Sequence, residues 1–70
     1  MKEIKLSNGQ VVKMREPKVK DMRLLKDIDD REEKEIRLIC NLCEISTDEI
    51  EELTLADYGK LQEGLKGFLS

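Results

Sequence analysis

Seventy residues, 41% of them charged against 39% hydrophobic, suffice for one small folded module and exclude a chain that buries a large interior. Only Tyr58 and Phe68 are aromatic, so the core has to come from Leu, Ile, Val and Met. The formal net charge of -3 hides a split: residues 1 to 26 carry eight Lys or Arg against three acids (+5), and residues 27 to 70 carry five against thirteen (-8).

At this size burial and chain entropy nearly cancel, so assembly with a partner or a second copy is the expected supplement. The charge split could steer a charged partner or bring copies together head to tail; it is equally what solvated helix faces would give. No apolar run approaches the ~18 residues a membrane span needs. Met1-Lys2-Glu3-Ile4-Lys5 alternates charge where a secretory signal would be apolar, so the cytoplasm is the expected compartment.

In chain order, Lys2 to Leu6 and Val11 to Met14 alternate apolar residues on either side of Asn8-Gly9. Both turn residues tolerate positive φ, as a two-residue hairpin turn requires, and Ile4, Leu6, Val12 and Met14 then share one face. An isolated hairpin is marginal, so helices must cover that face. Pro17 pre-sets a first helical turn, and the spacing predicts a helix over 18–26, with Val19, Met22 and then Leu25 or Lys26 in one apolar row and Leu24 and Ile28 in another.

Asp30 is the expected N-cap of a second helix over Arg31 to Cys43. There Ile36, Ile39, Cys40 and Cys43 fall at helical spacing beside a Leu38-Leu42 row, a face wide enough to need more than one neighbour. Ser46 with Glu49 reads as a capping box opening one or two helical turns with Ile50 and Leu53. Thr54-Leu55-Ala56-Asp57 opens the last helix, whose apolar stripe is Leu55, Tyr58, Leu61, Leu65, Phe68 and Leu69. Gly59 and Gly64 each weaken that helix by about 1 kcal/mol relative to Ala, so it depends on packing, and its last turn is expected to fray. The result is a mainly α chain with a short N-terminal β-hairpin (α+β), a single domain over 1–70: hairpin in 1–15, and three to four short helices in 17–69 packed on it.

Residues equipped for chemistry are scarce. Cys40-Asn41-Leu42-Cys43 has the spacing of a zinc or redox pair, but no histidine and no further cysteine completes a four-ligand site. Both thiols also lie toward a helix C-terminus beside Glu44, which opposes thiolate formation, and both fall on the apolar face, where a core role is the simpler reading. Histidine is absent and the many acids fall at caps and exposed faces, so no general acid-base pair stands out. There is no phosphate-cradling glycine loop and no EF-hand pattern. No enzyme activity, cofactor or metal is expected. Lys13, Arg15, Lys18, Lys20, Arg23 and Lys26 form a basic stretch that could serve a small regulatory or DNA-associated module, but without interleaved aromatics and with a pI near 5.0.

The order of features, Met14-Arg15-Glu16-Pro17-Lys18-Val19-Lys20-Asp21-Met22-Arg23, a central helix, Leu53-Thr54-Leu55-Ala56-Asp57-Tyr58 and a terminal Phe68-Leu69, resembles the tail assembly chaperones of Mu-like contractile-tailed phages. In that family an Arg-Glu-Pro segment leads into the first helix, and Leu-x-Leu-Ala-Asp-Phe/Tyr opens a last helix ending in Phe-Leu. The likeness covers nearly the whole chain. It implies a cytoplasmic, non-catalytic helper, absent from the finished virion, that binds the tape measure protein and keeps it soluble while tail tube subunits polymerise. It also implies a longer product made by frameshifting. One departure is Cys43-Glu44-Ile45-Ser46, where the family commonly has a Gly-Leu-Pro-like turn. Combined with helix-in-groove binding, the expectation is a client groove between the central and last helices, lined by Leu38, Leu42, Leu61, Leu65 and Phe68. The same five positions could instead be internal core.

Overall fold

A computed structural model describes residues 1–69, in the order β1 (Lys2–Lys5), β2 (Val11–Met14), α1 (Val19–Leu24), α2 (Arg31–Cys43), α3 (Thr47–Glu51) and α4 (Leu55–Leu69). This is the expected α+β arrangement, a two-stranded antiparallel hairpin followed by helices.

The hairpin pairs Lys2 with Met14, Ile4 with Val12 and Lys5 with Val11. Its loop has three residues, Ser7 to Gly9, where the Asn-Gly pair had suggested two: the Leu6 amide donates to the Gln10 carbonyl (2.8 Å), and the Gly9 amide donates to that of Leu6 (3.0 Å). Only Gly9 takes positive φ, 88°, as a turn ending in a left-handed residue requires. The apolar face decides between the two. A two-residue loop would shift the register by one and set Ile4 opposite Lys13, whereas the observed register puts Ile4, Leu6, Val12 and Met14 on one side, all buried.

β2 leads to α1 through Arg15, Glu16 and Pro17. α1 is shorter than expected, because after Leu24 the backbone bonds tighten to three-residue spacing, Leu25 to Met22 and Lys26 to Arg23. Its expected apolar rows are corrected in part. Val19, Met22 and Leu24 are exposed, while Leu25 is buried and Ile28 packs on the core edge. What anchors α1 is Asp21, 1% exposed. The Arg15 guanidinium donates to both of its oxygens (2.7 and 2.9 Å), and the Lys18 amide, at the helix start, donates to one of them (2.8 Å). The Arg15 hydrogen bonds hold the Asp21 carboxyl at about 2, against the burial that opposes them.

α2 has the expected bounds, capped by Asp30 accepting from the Glu32 and Glu33 amides. Its wide apolar face is covered within the chain. Leu38, Ile39, Cys40, Leu42 and Cys43 are buried against the hairpin, α3 and α4, and Ile36 packs at the margin. The Arg15 amide donates to the Leu42 carbonyl (3.0 Å), giving one of the helix's free C-terminal carbonyls a partner on the strand exit. α2 stops at Glu44, the one non-glycine residue with positive φ (55°) among the described residues. The residue of this chain thus adopts the left-handed conformation that glycine supplies most easily at helix ends.

Ser46 caps α3 as expected, accepting from the Glu49 amide. α4 opens at Thr54, whose hydroxyl accepts from the Asp57 amide (3.2 Å), and it stays helical through Leu69, so the last turn does not fray within the described residues. Asp57, 3% exposed, crosses to the hairpin loop: its oxygens accept from the Ser7 amide (3.0 Å) and the Ser7 hydroxyl (2.8 Å). These bonds hold the Asp57 carboxyl below its ordinary range. Lys2 closes the other edge, donating to the Gly64 carbonyl (3.0 Å) with its ammonium 4.6 Å from the Phe68 ring centroid.

Two outcomes follow. Glu44→Gly relieves the left-handed strain and is expected to stabilise the chain by about 1 kcal/mol in urea unfolding. Asp21 has a folded value lowered to about 2 from an unfolded 3.8, so its stabilisation is complete above about pH 4 and is lost as pH falls towards 2. Asp21→Asn is expected to lower Tm at pH 7 and to flatten that acid limb, as thermal melts between pH 2 and 7 would show.

Candidate functional site

The helical period of α4 turns Leu61, Gly64 and Leu65 inward, all buried, together with Asp57. On its outer side Leu55, Gly59, Gln62, Lys66 and Leu69 recur at three- and four-residue spacing. The first half of α2 lies alongside, and three dents run along the two helices, the first of them shared with α3. One, of about 180 Å³, is floored by Ile36, Ile50, Leu53 and Tyr58 with Leu55 at its rim. The next, about 430 Å³, lies among Arg31, Glu32, Glu35 and Gln62. The third, about 340 Å³, is lined by Glu35, Gly59, Leu65, Lys66 and Leu69 among others. Leu55 (89% exposed) and Leu69 (61%) stand at the two ends. Fifteen helical residues rise about 22 Å. The dents of this cleft therefore follow about four turns of α4, with Leu55 and Leu69 at the two ends and Gln62, Glu63 and Lys66 among the lining near Leu69.

A polar stitch crosses the middle of the cleft. The Tyr58 hydroxyl (2.8 Å) and the Gln62 amide (2.7 Å) both donate to Oε1 of Glu35, joining α4 to α2. Burial and this hydrogen bond push the Tyr58 hydroxyl well above its usual range, so it stays protonated and keeps donating.

Of the five residues expected to line a groove, the structure brings Leu38, Leu42, Leu61 and Leu65 together inside the core, each at most 6% exposed. Leu65 alone of these also lines the cleft. Phe68 is half-buried on the hairpin side of α4, under Lys2. The cleft residues that sequence reasoning passed over are Gly59, Gln62 and Glu35. A signal existed in the spacing of Leu55, Gly59, Gln62, Lys66 and Leu69, but a glycine and two polar residues interrupt any apolar stripe.

The cysteines are free and buried, their thiols pushed up by burial, Cys43 to about 11, which disfavours thiolate chemistry. Among the described residues no group of three or more His, Cys, Asp or Glu is arranged to hold a metal. No helix of the described residues is long and apolar enough to cross a membrane. In the basic segment Arg15 is committed to Asp21, and the remaining cations alternate with exposed Val19, Met22 and Leu24.

The model of a family described as "Phage tail assembly chaperone proteins, E, or 41 or 14" matches residues 7–70. Neither the curated proteins nor the solved structures give a match.

The glycines of α4 separate cleft from core. A Cβ on Gly59 would meet nothing within 4 Å, whereas one on Gly64 would lie 2.6 Å from Ile4 Cδ1. Gly59→Ala is thus expected to stabilise by about 1 kcal/mol through helix propensity, and Gly64→Ala to lose that gain by displacing Ile4 from the hairpin face. Chemical denaturation of the two variants side by side checks both signs.

Proposed function

The chain belongs to this family of phage tail assembly chaperones, and from that premise we propose that its client is the tape measure protein, kept soluble until tail tube subunits polymerise around it. The observation that carries the reading is the family match across residues 7–70. The resemblance of the Arg15-Glu16-Pro17 and Leu53-to-Tyr58 segments narrows it to a helper of Mu-like contractile tails, acting in the host cytoplasm by contact, without catalysis, and leaving before the virion is complete.

The cleft between α2 and α4 supports a helix-in-groove contact. A client helix would set apolar residues into the dents at Tyr58 and Leu65, with Leu55 and Leu69 closing over them. Glu32, Glu35, Glu51 and Glu63 outnumber Arg31 and Lys66 along the lining, which favours a client segment flanked by Lys or Arg. Contact with Leu38, Leu42 and Leu61 would in addition require α4 to lift from α2, opening the core. A DNA-associated role finds less support, since Arg15 is taken by Asp21 and apolar side chains interrupt the basic face.

Co-expression with the tape measure protein of the same phage should raise that protein's soluble yield, and the two should co-purify. Leu55→Glu with Leu69→Glu, both on exposed positions, should weaken co-purification while leaving the circular dichroism spectrum unchanged. Unchanged solubility together with no co-purification for the native chain would overturn the reading.

A further inference from the structure

The sheet has only two strands, so each strand has an outer edge whose backbone groups need a partner or water. The ladder fixes which groups face outwards. The Leu6 amide donates to the Gln10 carbonyl, so in the antiparallel register the bonded pairs recur at every second step, at Ile4 with Val12 and at Lys2 with Met14. The amides and carbonyls of Val11 and Lys13 therefore point away from β1. Arg15, two residues on, shows the same direction: its amide leaves the hairpin and donates to the Leu42 carbonyl of α2. Among the described residues nothing outside the hairpin hydrogen-bonds to the backbone of Val11 or Lys13, and both residues are exposed. On the other strand, α4 packs against β1. Beside the β2 edge, on the side that Val12 faces, lies a dent of about 360 Å³ between the hairpin and α3, floored by Val12, Ile45 and Leu53 and edged by Asp48, Glu49 and Glu52. The three carboxylates are exposed, and none forms an ion pair among the described residues.

We propose that the outer edge of β2 accepts an extended segment of a partner protein as a third strand, one that carries an apolar residue between two basic ones on the face towards the dent. Three features select this occupant. Outward amides and carbonyls at alternate residues match an extended backbone, whereas a helix has already spent its own groups internally. Every second side chain of an added strand falls on the Val12 side, where the dent takes an apolar group. The acids along α3 then call for Lys or Arg at the neighbouring positions of that face. A second copy presenting its own β2 would set two acid-edged dents side by side, and like charges oppose that pairing. The edge is separate from the cleft between α2 and α4, and the proposal is independent of what fills that cleft.

Hydrogen exchange on the full chain, read by NMR with the blocked peptide Thr-Lys-Thr-Val-Thr-Lys-Thr as probe, tests this. At saturating peptide the Val11 and Lys13 amides should exchange about tenfold more slowly or less, while the Ile4 and Val12 amides change little. The same peptide with methylated backbone amides keeps its side chains and charges and should lose binding, and so should Thr-Glu-Thr-Val-Thr-Glu-Thr. Val11→Pro removes an outward amide without breaking a hairpin bond and should weaken binding about tenfold or more, as should Asp48→Lys with Glu52→Lys. The methylated peptide is read on the native chain, so the test stands even where a variant misfolds. Val11 and Lys13 amides that the peptide leaves unprotected overturn the proposal. Equal binding of the methylated peptide reduces the site to charge attraction and overturns the added strand; equal binding of the acidic peptide overturns the basic partner. Protection of the two amides that rises with concentration of the chain alone assigns the edge to a second copy and overturns the proposal as well.

Discussion

Two buried aspartates hold in place a hairpin that is marginal taken alone and that packs on α2 and α4. Asp21 near the start of α1 grips Arg15 at the strand exit, and Asp57 near the start of α4 grips Ser7 in the loop. Each carboxylate is nearly inaccessible, which would cost several kcal/mol if it were unpaired. Each is instead saturated, and no buried side-chain polar atom among the described residues lacks a partner. The same pairs fix where the two helices begin relative to the strands. With the loop end tied to α4 and the exit tied to α1, the apolar face of the hairpin has one position open to it, against Leu38, Ile39 and Leu42 of α2 and Leu61 of α4.

That placement consumes the apolar rows of α2. A core of thirteen buried hydrophobic residues among those described is small, and it closes by drawing on both strands, α2, α3 and α4 and on Leu25 just past α1. Apart from Met1 and Val11 on the hairpin and the dent between the hairpin and α3, the exposed apolar residues among those described sit on the outer side of α1, among cations, and at the ends of the α2 and α4 cleft, where acids outnumber bases. The uneven charge of the sequence thus becomes a spatial division of surfaces. Apolar surface has a different electrostatic surround in each place.

The fold was legible in the sequence where periodicity and caps agree. Asp30, Ser46 and Thr54 mark helix starts that the structure reproduces, and the hairpin face of Ile4, Leu6, Val12 and Met14 is as the alternation implies. What failed was local chemistry overruled by packing. Asn8-Gly9 favours a two-residue turn, but burial of four apolar side chains demanded the register that three loop residues give. In α1, apolar spacing pointed to Val19 and Met22 as the inner row, yet the salt-bridged Asp21 is what turns inward, and a hydropathy pattern does not show a buried carboxylate. The cleft was legible only in its helix pair. Which rows of α2 and α4 face each other depends on how the hairpin tilts both helices, and that is set by Arg15 and Ser7, far away in sequence.

The polar stitch in the cleft bears on how specific a docked helix must be. Glu35 accepts from Tyr58 and Gln62 where the middle dent meets the one near Leu69, and its carboxylate remains partly open to solvent. A client helix that set a large apolar residue over it would strip water from a charge and offer nothing in return, at a cost of the order of 1–3 kcal/mol. A client with a polar or cationic residue there, and apolar residues about two turns to either side, would meet no such cost. Register along a uniformly apolar groove is loose; in the docking proposed above, the carboxylate would penalise every other register, a form of discrimination by mismatch. On that proposal, a chain too small to enlarge its apolar contact would still distinguish one amphipathic segment from another, through a single hydrogen-bonded carboxylate on α2 and the spacing of α4 around it.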